Sequence, residues 1–403
     1  MASAISRRLV LAGMGCIASS LSAGNFKSLR GKTLSETIWS GYASAPSWTS
    51  FELATDDTII VRAQAGELNV DAVLDSGSAV SVLSSALASR LAINGMDARV
   101  RATSGRTVVK IARDVQLALD GKPRSLPMVI ISDLSTVSAA FGRPIDLVLG
   151  LDMLADRALA LDFAESRLAL APTGSFAGGN GWAVLPLSLG TARELVVSAS
   201  VDGRPSAPMI LDLGSGSALM ISSAFVDDDH LLLNRKVSTV AIGGVDGMHV
   251  VKAAMMDTVA LAGLPVAAVP SAVVENWLST SAVGNIGLPL IAQFDVVIDI
   301  TASRLWLRKP ERSRHNLLLK DRTGLGVATR PSGLTVVHVA SGSPAERDGW
   351  KAGEQIVAID GEPVGPDYTR SRLWRWRYRP AGAAVSLTLV DGSVRGIRLA
   401  DYY

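Results

Sequence analysis

Val73-Leu74-Asp75-Ser76-Gly77-Ser78 and, further along the chain, Ile210-Leu211-Asp212-Leu213-Gly214-Ser215 are two versions of one phrase. Each sets two apolar residues before an aspartate and a glycine and serine just after it, and the aspartates are 212 − 75 = 137 residues apart. Leu147-Val148-Leu149-Gly150-Leu151 returns as Gly284-Asn285-Ile286-Gly287-Leu288 at the same offset, 287 − 150 = 137. So does Leu161-Asp162-Phe163 with Arg167-Leu168-Ala169-Leu170, echoed by Ile298-Asp299-Ile300 with Arg304-Leu305-Trp306-Leu307, where 299 − 162 = 137. Three blocks at one spacing identify a duplicated domain.

Each copy reads mainly as short strands and turns. Val201-Asp202-Gly203-Arg204, for example, has the composition of a hairpin tip leading into the Asp212 strand. Helical periodicity is scarce, so the fold class is mainly β: two pseudo-symmetric β lobes, residues 50–172 and 182–308, with the glycine-rich 171–181 as linker. The charged stretch Arg308 to Arg314 marks a second boundary, and residues 314–403 repeat neither lobe. The apolar run Thr258 to Val274 contains Gly263, Pro265 and Pro270, which suit strands and turns better than a membrane helix.

A single Asp-Ser-Gly is ordinarily a turn, because all three residues favour turns. Two copies in matched settings point instead to chemistry. Gly77 and Gly214 allow close backbone approach, and Ser78 or Ser215 is able to bond the outer oxygen of its aspartate. Two such turns related by a pseudo-twofold can face each other. Carboxylates close enough to share a proton titrate as a pair, one ionised and one neutral. One can then activate a water while the other protonates a carbonyl oxygen. Which aspartate takes which part is not readable from sequence.

These motifs resemble the retropepsin-like and pepsin-like aspartic peptidases over roughly residues 55 to 308, and the Leu149-Gly150-Leu151-Asp152-Met153-Leu154 ending is similar to the bacterial branch of that group. The resemblance implies a bilobal aspartic endopeptidase with catalytic Asp75 and Asp212, peptide or protein substrates, and no metal or cofactor. It implies supporting roles for Ser76, Gly77, Ser78, Leu213, Gly214 and Ser215, and for Gly150 and Gly287 behind the turns. It also implies hairpin flaps over the cleft, for which Val100 to Lys110 around Ser104-Gly105 and Val237 to Lys252 around Gly243-Gly244 are the candidates. One position departs from the pattern. The family places a hydroxyl after each catalytic aspartate as a brace between the turns; Ser76 keeps it and Leu213 does not. The pair is then looser, braced from one side, or inactive.

In the C-terminal stretch, Gly324-Leu325-Gly326-Val327, Leu334 to Val339, Ser343 to Ile356 and Ile359-Asp360-Gly361 fall in the order of a bacterial PDZ domain, a β fold with short helices. The resemblance implies a bound peptide or protein partner, with the 324–327 loop capturing a terminal carboxylate and the adjacent strand accepting a peptide strand. Arg370 to Arg379 alternates like a strand, whereas the resemblance places the groove-lining helix there.

Composition bounds the rest. A net charge of +2 on 403 residues leaves no global footprint for nucleic acid. The order of Arg7-Arg8, the apolar Leu9 to Ala18 and small residues up to Ala23 reads as an export signal over 1–23, by the general or the twin-arginine route. It implies a periplasmic or secreted product with no transmembrane span and without Cys16, the one cysteine. The four histidines lack zinc-ligand spacing, and no nucleophile elbow is present. Two function classes remain: peptide-bond hydrolysis by Asp75 and Asp212, or an inactive two-lobed scaffold that holds peptides.

Overall fold

The computed structural model describes Tyr42 and residues 47–403, apart from 56, 103–104, 120, 245–246, 311–317 and 331. The export-signal reading and the Ser104 end of the first flap candidate lie outside the described residues.

The chain is mainly β, and its two lobes are built alike. In the first, the strand Leu68–Leu74 delivers Asp75 and runs parallel to Leu147–Leu149, which is itself antiparallel to Val82–Ser84. In the second, Ala207–Asp212 runs parallel to Gly284–Gly287, which is antiparallel to Leu219–Ser222. The central strands are buried on both faces, with Val73, Leu74, Leu147 to Leu149, Ile210, Leu211 and Leu219 to Ile221 all inside the core, because both faces are covered. Short helices Ser85–Arg90 and Ser223–Asp228 follow, each begun by a serine hydroxyl that accepts the first free backbone N–H: Ser84 from Leu87 and Ser222 from Phe225. The cross-strand partner changes from Val82 beside Val148 to Met220 beside Asn285, an offset of 220 − 82 = 138. The turn after Asp212 is therefore one residue longer than the turn after Asp75.

The lobes join through an antiparallel sheet in which Arg157–Asp162 and Arg167–Pro172 of the first meet Asp295–Asp299, Arg304–Arg308 and Ala183–Pro186 of the second. Ala160 pairs with Val297, its own counterpart at 297 − 160 = 137, so the pseudo-twofold axis passes between them. One hydrophobic core runs through both lobes, including Leu74, Leu83, Leu149, Leu161, Leu211, Leu219, Ile286 and Ile298.

One segment differs from the sequence reading and another follows it. The glycine-rich stretch between the lobes is packed rather than loose: Phe176 is buried against Tyr42, Trp182 and Trp306. Gly178, at φ +77°, lies where a Cβ would meet the Trp306 ring at 2.5 Å, so this glycine serves contact as well as bending. The apolar 258–274 region forms two long strands, Gly247–Leu261 and Leu264–Val274, turning at Ala262-Gly263.

The C-terminal unit has its own sheet, ordered Leu325–Arg330, Gly333–Val339, Gln355–Ile359, Ala384–Leu389, Val394–Arg398, and a core containing Leu334, Trp350, Ile356, Trp374 and Trp376. Arg372–Tyr378 is a 3₁₀ helix that buries Trp374 and Trp376, so the apparent strand alternation of that stretch is overridden by packing. The unit touches both lobes. Thr239 Oγ1 lies 3.0 Å from His338 Nε2 and accepts from the Ser341 N–H at 3.2 Å, while Thr369 Oγ1 donates to the Phe141 carbonyl at 3.3 Å.

Candidate active site

Strand ends place the two phrases against each other across the pseudo-twofold. A Cβ on Gly77 would stand 2.6 Å from Asp212 Oδ1, and one on Gly214 would stand 2.3 Å from Asp75 Oδ1. Both glycines are thus needed for close approach, since any side chain would collide with the opposite carboxylate. In each turn the aspartate Oδ1 accepts a local backbone N–H, Gly77 at 2.8 Å for Asp75 and Gly214 at 3.0 Å for Asp212. Ser78 N–H donates to the Asp75 carbonyl and Ser215 N–H to the Asp212 carbonyl, both at 3.3 Å.

Gly150 and Gly287 lie behind the turns. A Cβ on Gly150 would meet the Ser78 carbonyl oxygen at 2.8 Å, and one on Gly287 the Ser217 and Ser215 oxygens at 2.0 and 2.5 Å. Their neighbours bind the turns in the same way, Leu151 N–H to Ser78 O at 2.8 Å and Leu288 N–H to Ser215 O at 2.9 Å. In the first lobe the Asp152 carboxylate adds a clamp, accepting from Ser81 N–H and Oγ at 2.9 and 2.6 Å, while Gly150 N–H donates to that same Oγ at 3.0 Å. Burial raises the Asp152 pKa, and the Ser81 and Met153 donors oppose the rise.

The brace between the turns is one-sided. Ser76 Oγ donates to the Leu211 carbonyl at 3.0 Å and accepts from Leu213 N–H at 2.8 Å. Leu213 makes no reciprocal bond; its side chain is buried in the common core. The sequence reading is also corrected at the outer oxygens. Ser78 Oγ donates to the Val80 carbonyl at 2.7 Å, and Ser215 Oγ is buried without a partner among the described residues. A hydroxyl can rotate to either neighbour, and here the tighter local turn claims that of Ser78.

The residue that sequence reading missed is Asn285. It occupies the position equivalent to Val148, and its Nδ2 donates to Asp212 Oδ2 at 2.8 Å in a fully buried setting. The available signal was a polar residue in an otherwise apolar strand phrase, where a buried amide needs a partner. The two carboxylates are consequently unequal. Both Asp212 oxygens accept N–H donors, which favours its charged form. Asp75 Oδ2 is buried without a hydrogen-bond donor among the described residues. Burial first, and then the facing Asp212 carboxylate, push the Asp75 pKa well above the ordinary carboxylate range.

A cavity of about 190 Å³ begins just beyond the Asp212 turn, at Gly216 to Leu219, and is closed by the Ser238–Gly244 hairpin strand, by Thr55 and Asp57 of the first lobe, and by Leu325 to Ala328 of the C-terminal unit. The hairpins Met96–Ala102 with Gly105–Ala112, and Ser238–Gly244 with Gly247–Leu261, occupy the two flap candidates. In the Gly324–Val327 loop, Gly324 N–H donates to Asp321 Oδ1 and Leu325 N–H to Thr323 Oγ1. No helix among the described residues is long and apolar enough to cross a membrane.

Residues 61–153 match the family model described as aspartyl protease. That match lies within the first lobe and spans Asp75, Gly77 and Gly150. No curated protein matches the chain. Among solved structures, Basic 7S globulin from soybean is similar at a TM-score of 0.42 and 11% identity, over 65% of this chain and 94% of that one.

Proposed function

We propose that the chain is an aspartic endopeptidase in which Asp75 and Asp212 share one proton and hydrolyse a peptide bond through an activated water. The observation that carries this reading is the reciprocal packing of each turn glycine against the other turn's carboxylate. The donor pattern supports a division of labour. Asp212, held charged by Gly214 N–H and Asn285, takes the proton of the attacking water, and Asp75, held neutral by burial and by Asp212, protonates the scissile carbonyl oxygen. Roles exchange as the tetrahedral intermediate collapses, because the proton gained by one carboxyl is then delivered to the leaving amine.

The competing reading, an inactive scaffold that only holds peptides, rests on Leu213. Purified protein incubated with a mixed peptide library separates them. Hydrolysis that is blocked by a tetrahedral-intermediate mimic, with thermal stabilisation of the protein by that mimic, is the expected result. Peptide binding with no cleavage at any pH between 3 and 8 would establish the scaffold instead. We read the C-terminal unit as a PDZ-like peptide-binding domain, supported by the order of its motifs and its open edge strand.

Asn285 gives a sharper test of the division of labour. Asn285→Leu removes the donor to Asp212 while keeping the number and branching of side-chain heavy atoms. It should cut kcat/KM by roughly 10- to 100-fold, the equivalent of ~1.5–3 kcal/mol for a hydrogen bond to a charged group. It should also move the acid limb of the pH profile to higher pH, since Asp212 then holds its proton more tightly. An unchanged acid limb would show that Asn285 acts on packing alone.

A further inference from the structure

A loop that captures a terminal carboxylate must offer unspent N–H groups, and this one has few. Thr323 N–H, Thr323 Oγ1 and Gly324 N–H all donate to Asp321 Oδ1, at 2.7, 3.0 and 2.8 Å, and Leu325 N–H donates to Thr323 Oγ1 at 3.0 Å. The cation on the opposite wall is engaged too. Arg377 lies 3.2 Å from Asp321 Oδ2, while its Nη1 donates to the Leu325 carbonyl at 2.7 Å and its Nη2 to Tyr378 Oη at 2.9 Å. The chain's own Asp321 carboxylate therefore already takes the Gly324 donor and the Arg377 cation that an incoming one would use. A second anion would face like-charge repulsion and would have to break these bonds.

What remains available is the strand edge. Leu325–Arg330 ends its sheet, and among the described residues it pairs with one strand only, Gly333–Val339. Such an edge accepts an extended chain through main-chain hydrogen bonds, with side-chain pockets setting preference. Leu325 to Ala328 border the same 190 Å³ cavity as Gly216 and Ser217, the residues that follow the Asp212 turn. Its other walls include Leu219, Ile242, Met248, Val327 and Trp374, an apolar and aromatic lining. The contacts from Thr239 to His338 and Ser341, and from Thr369 to Phe141, set the unit against both lobes, so the distance from groove to dyad is fixed.

We propose that the C-terminal groove takes an internal, extended, apolar segment of the same polypeptide whose scissile bond lies in the cleft, and that it does not read a free C-terminus. The cleft end of this statement rests on the aspartic-peptidase reading; the groove end does not.

The probe is a fluorescent peptide of about sixteen residues with Leu and Phe at alternate positions, roughly 50 Å when extended at ~3.3 Å per residue. It is made as free acid and as amide, and titrated against full-length Asp212→Asn protein so that it stays intact. The two forms should bind within about 2-fold of each other. A loss of about 10-fold or more on amidation would overturn the proposal, because the loop would then be reading the carboxylate. Asp321→Ala should release the loop donors and Arg377, and create a free-acid preference of about 5-fold or more that the parent protein lacks. If that variant fails to fold, the acid and amide comparison on the parent still decides. In the cleaving protein, Val327→Asp should raise KM about 5-fold or more further for the long peptide than for a six-residue substrate. Equal effects on both lengths would refute the shared path. Failure of all hydrolysis would remove the cleft reading while the binding comparison stood.

Discussion

Replacing Asp75 or Asp212 by asparagine is expected to lower peptide hydrolysis by at least ~10³-fold, because the amide keeps the size of the carboxylate but can neither activate water nor carry the shared proton. The double variant should be scarcely worse than either single one, since the two groups act as a unit. Steady-state assays of all three proteins check this; single variants that retain near-parental rates would place the chemistry elsewhere. The same substitution carries a pH signature. Asp75 is held above its ordinary range in the fold, by burial and then by Asp212. Below the unfolded value of about 3.9, both native and unfolded chains are protonated and its contribution is fully present. As pH rises toward the folded value, the unfolded chain releases the proton while the native one keeps it, so stability is lost. Asp75→Asn cannot titrate and should melt at a higher temperature than the parent at pH 7, but at nearly the same temperature at pH 3. Equal differences at both pH values would mean that Asp75 is not under this strain.

Much of this arrangement was legible because duplication writes itself into the chain as an offset. Matched apolar phrases had to become matched central strands, and the two aspartates had to end them on opposite sides of one axis. Where the offset slips to 138, after Asp212, no residue signals it, because Gly216-Ser217-Ala218 looks like any small-residue turn. Asn285 was passed over for a similar reason. A strand phrase of the form apolar-apolar-glycine tolerates one polar residue in appearance, and only three-dimensional placement shows what that residue bonds. The serine hydroxyls were misread because a hydroxyl's direction is a contest between neighbours of comparable strength, which spacing does not decide. Likewise the 324–327 loop carries the expected glycines, and the residue that takes its Gly324 donor, Asp321, lies just outside the motif.

Ser76→Val is expected to be the most disruptive change that touches neither carboxylate. Its hydroxyl is fully buried and joins the lobes by two bonds, to Leu211 O and from Leu213 N–H. Valine removes the hydroxyl, leaving one buried acceptor and one buried donor unpaired, and adds methyl bulk at a fully buried position. At ~1–3 kcal/mol for each unsatisfied group, the loss of stability should be about 2–6 kcal/mol in urea unfolding. Activity should fall more than stability alone explains, because the brace sets how closely each turn approaches the other. Ser76→Thr supplies the same oxygen and should recover most of both. The counterpart site behaves differently. Leu213 fills the common core, so Leu213→Thr exchanges buried methyl groups for a hydroxyl in an apolar surrounding and should cost ~1–3 kcal/mol while leaving catalysis in place. If Leu213→Thr instead stabilised the protein and Ser76→Val were harmless, the second turn would be the one that braces the first, and the one-sided arrangement described above would be wrong.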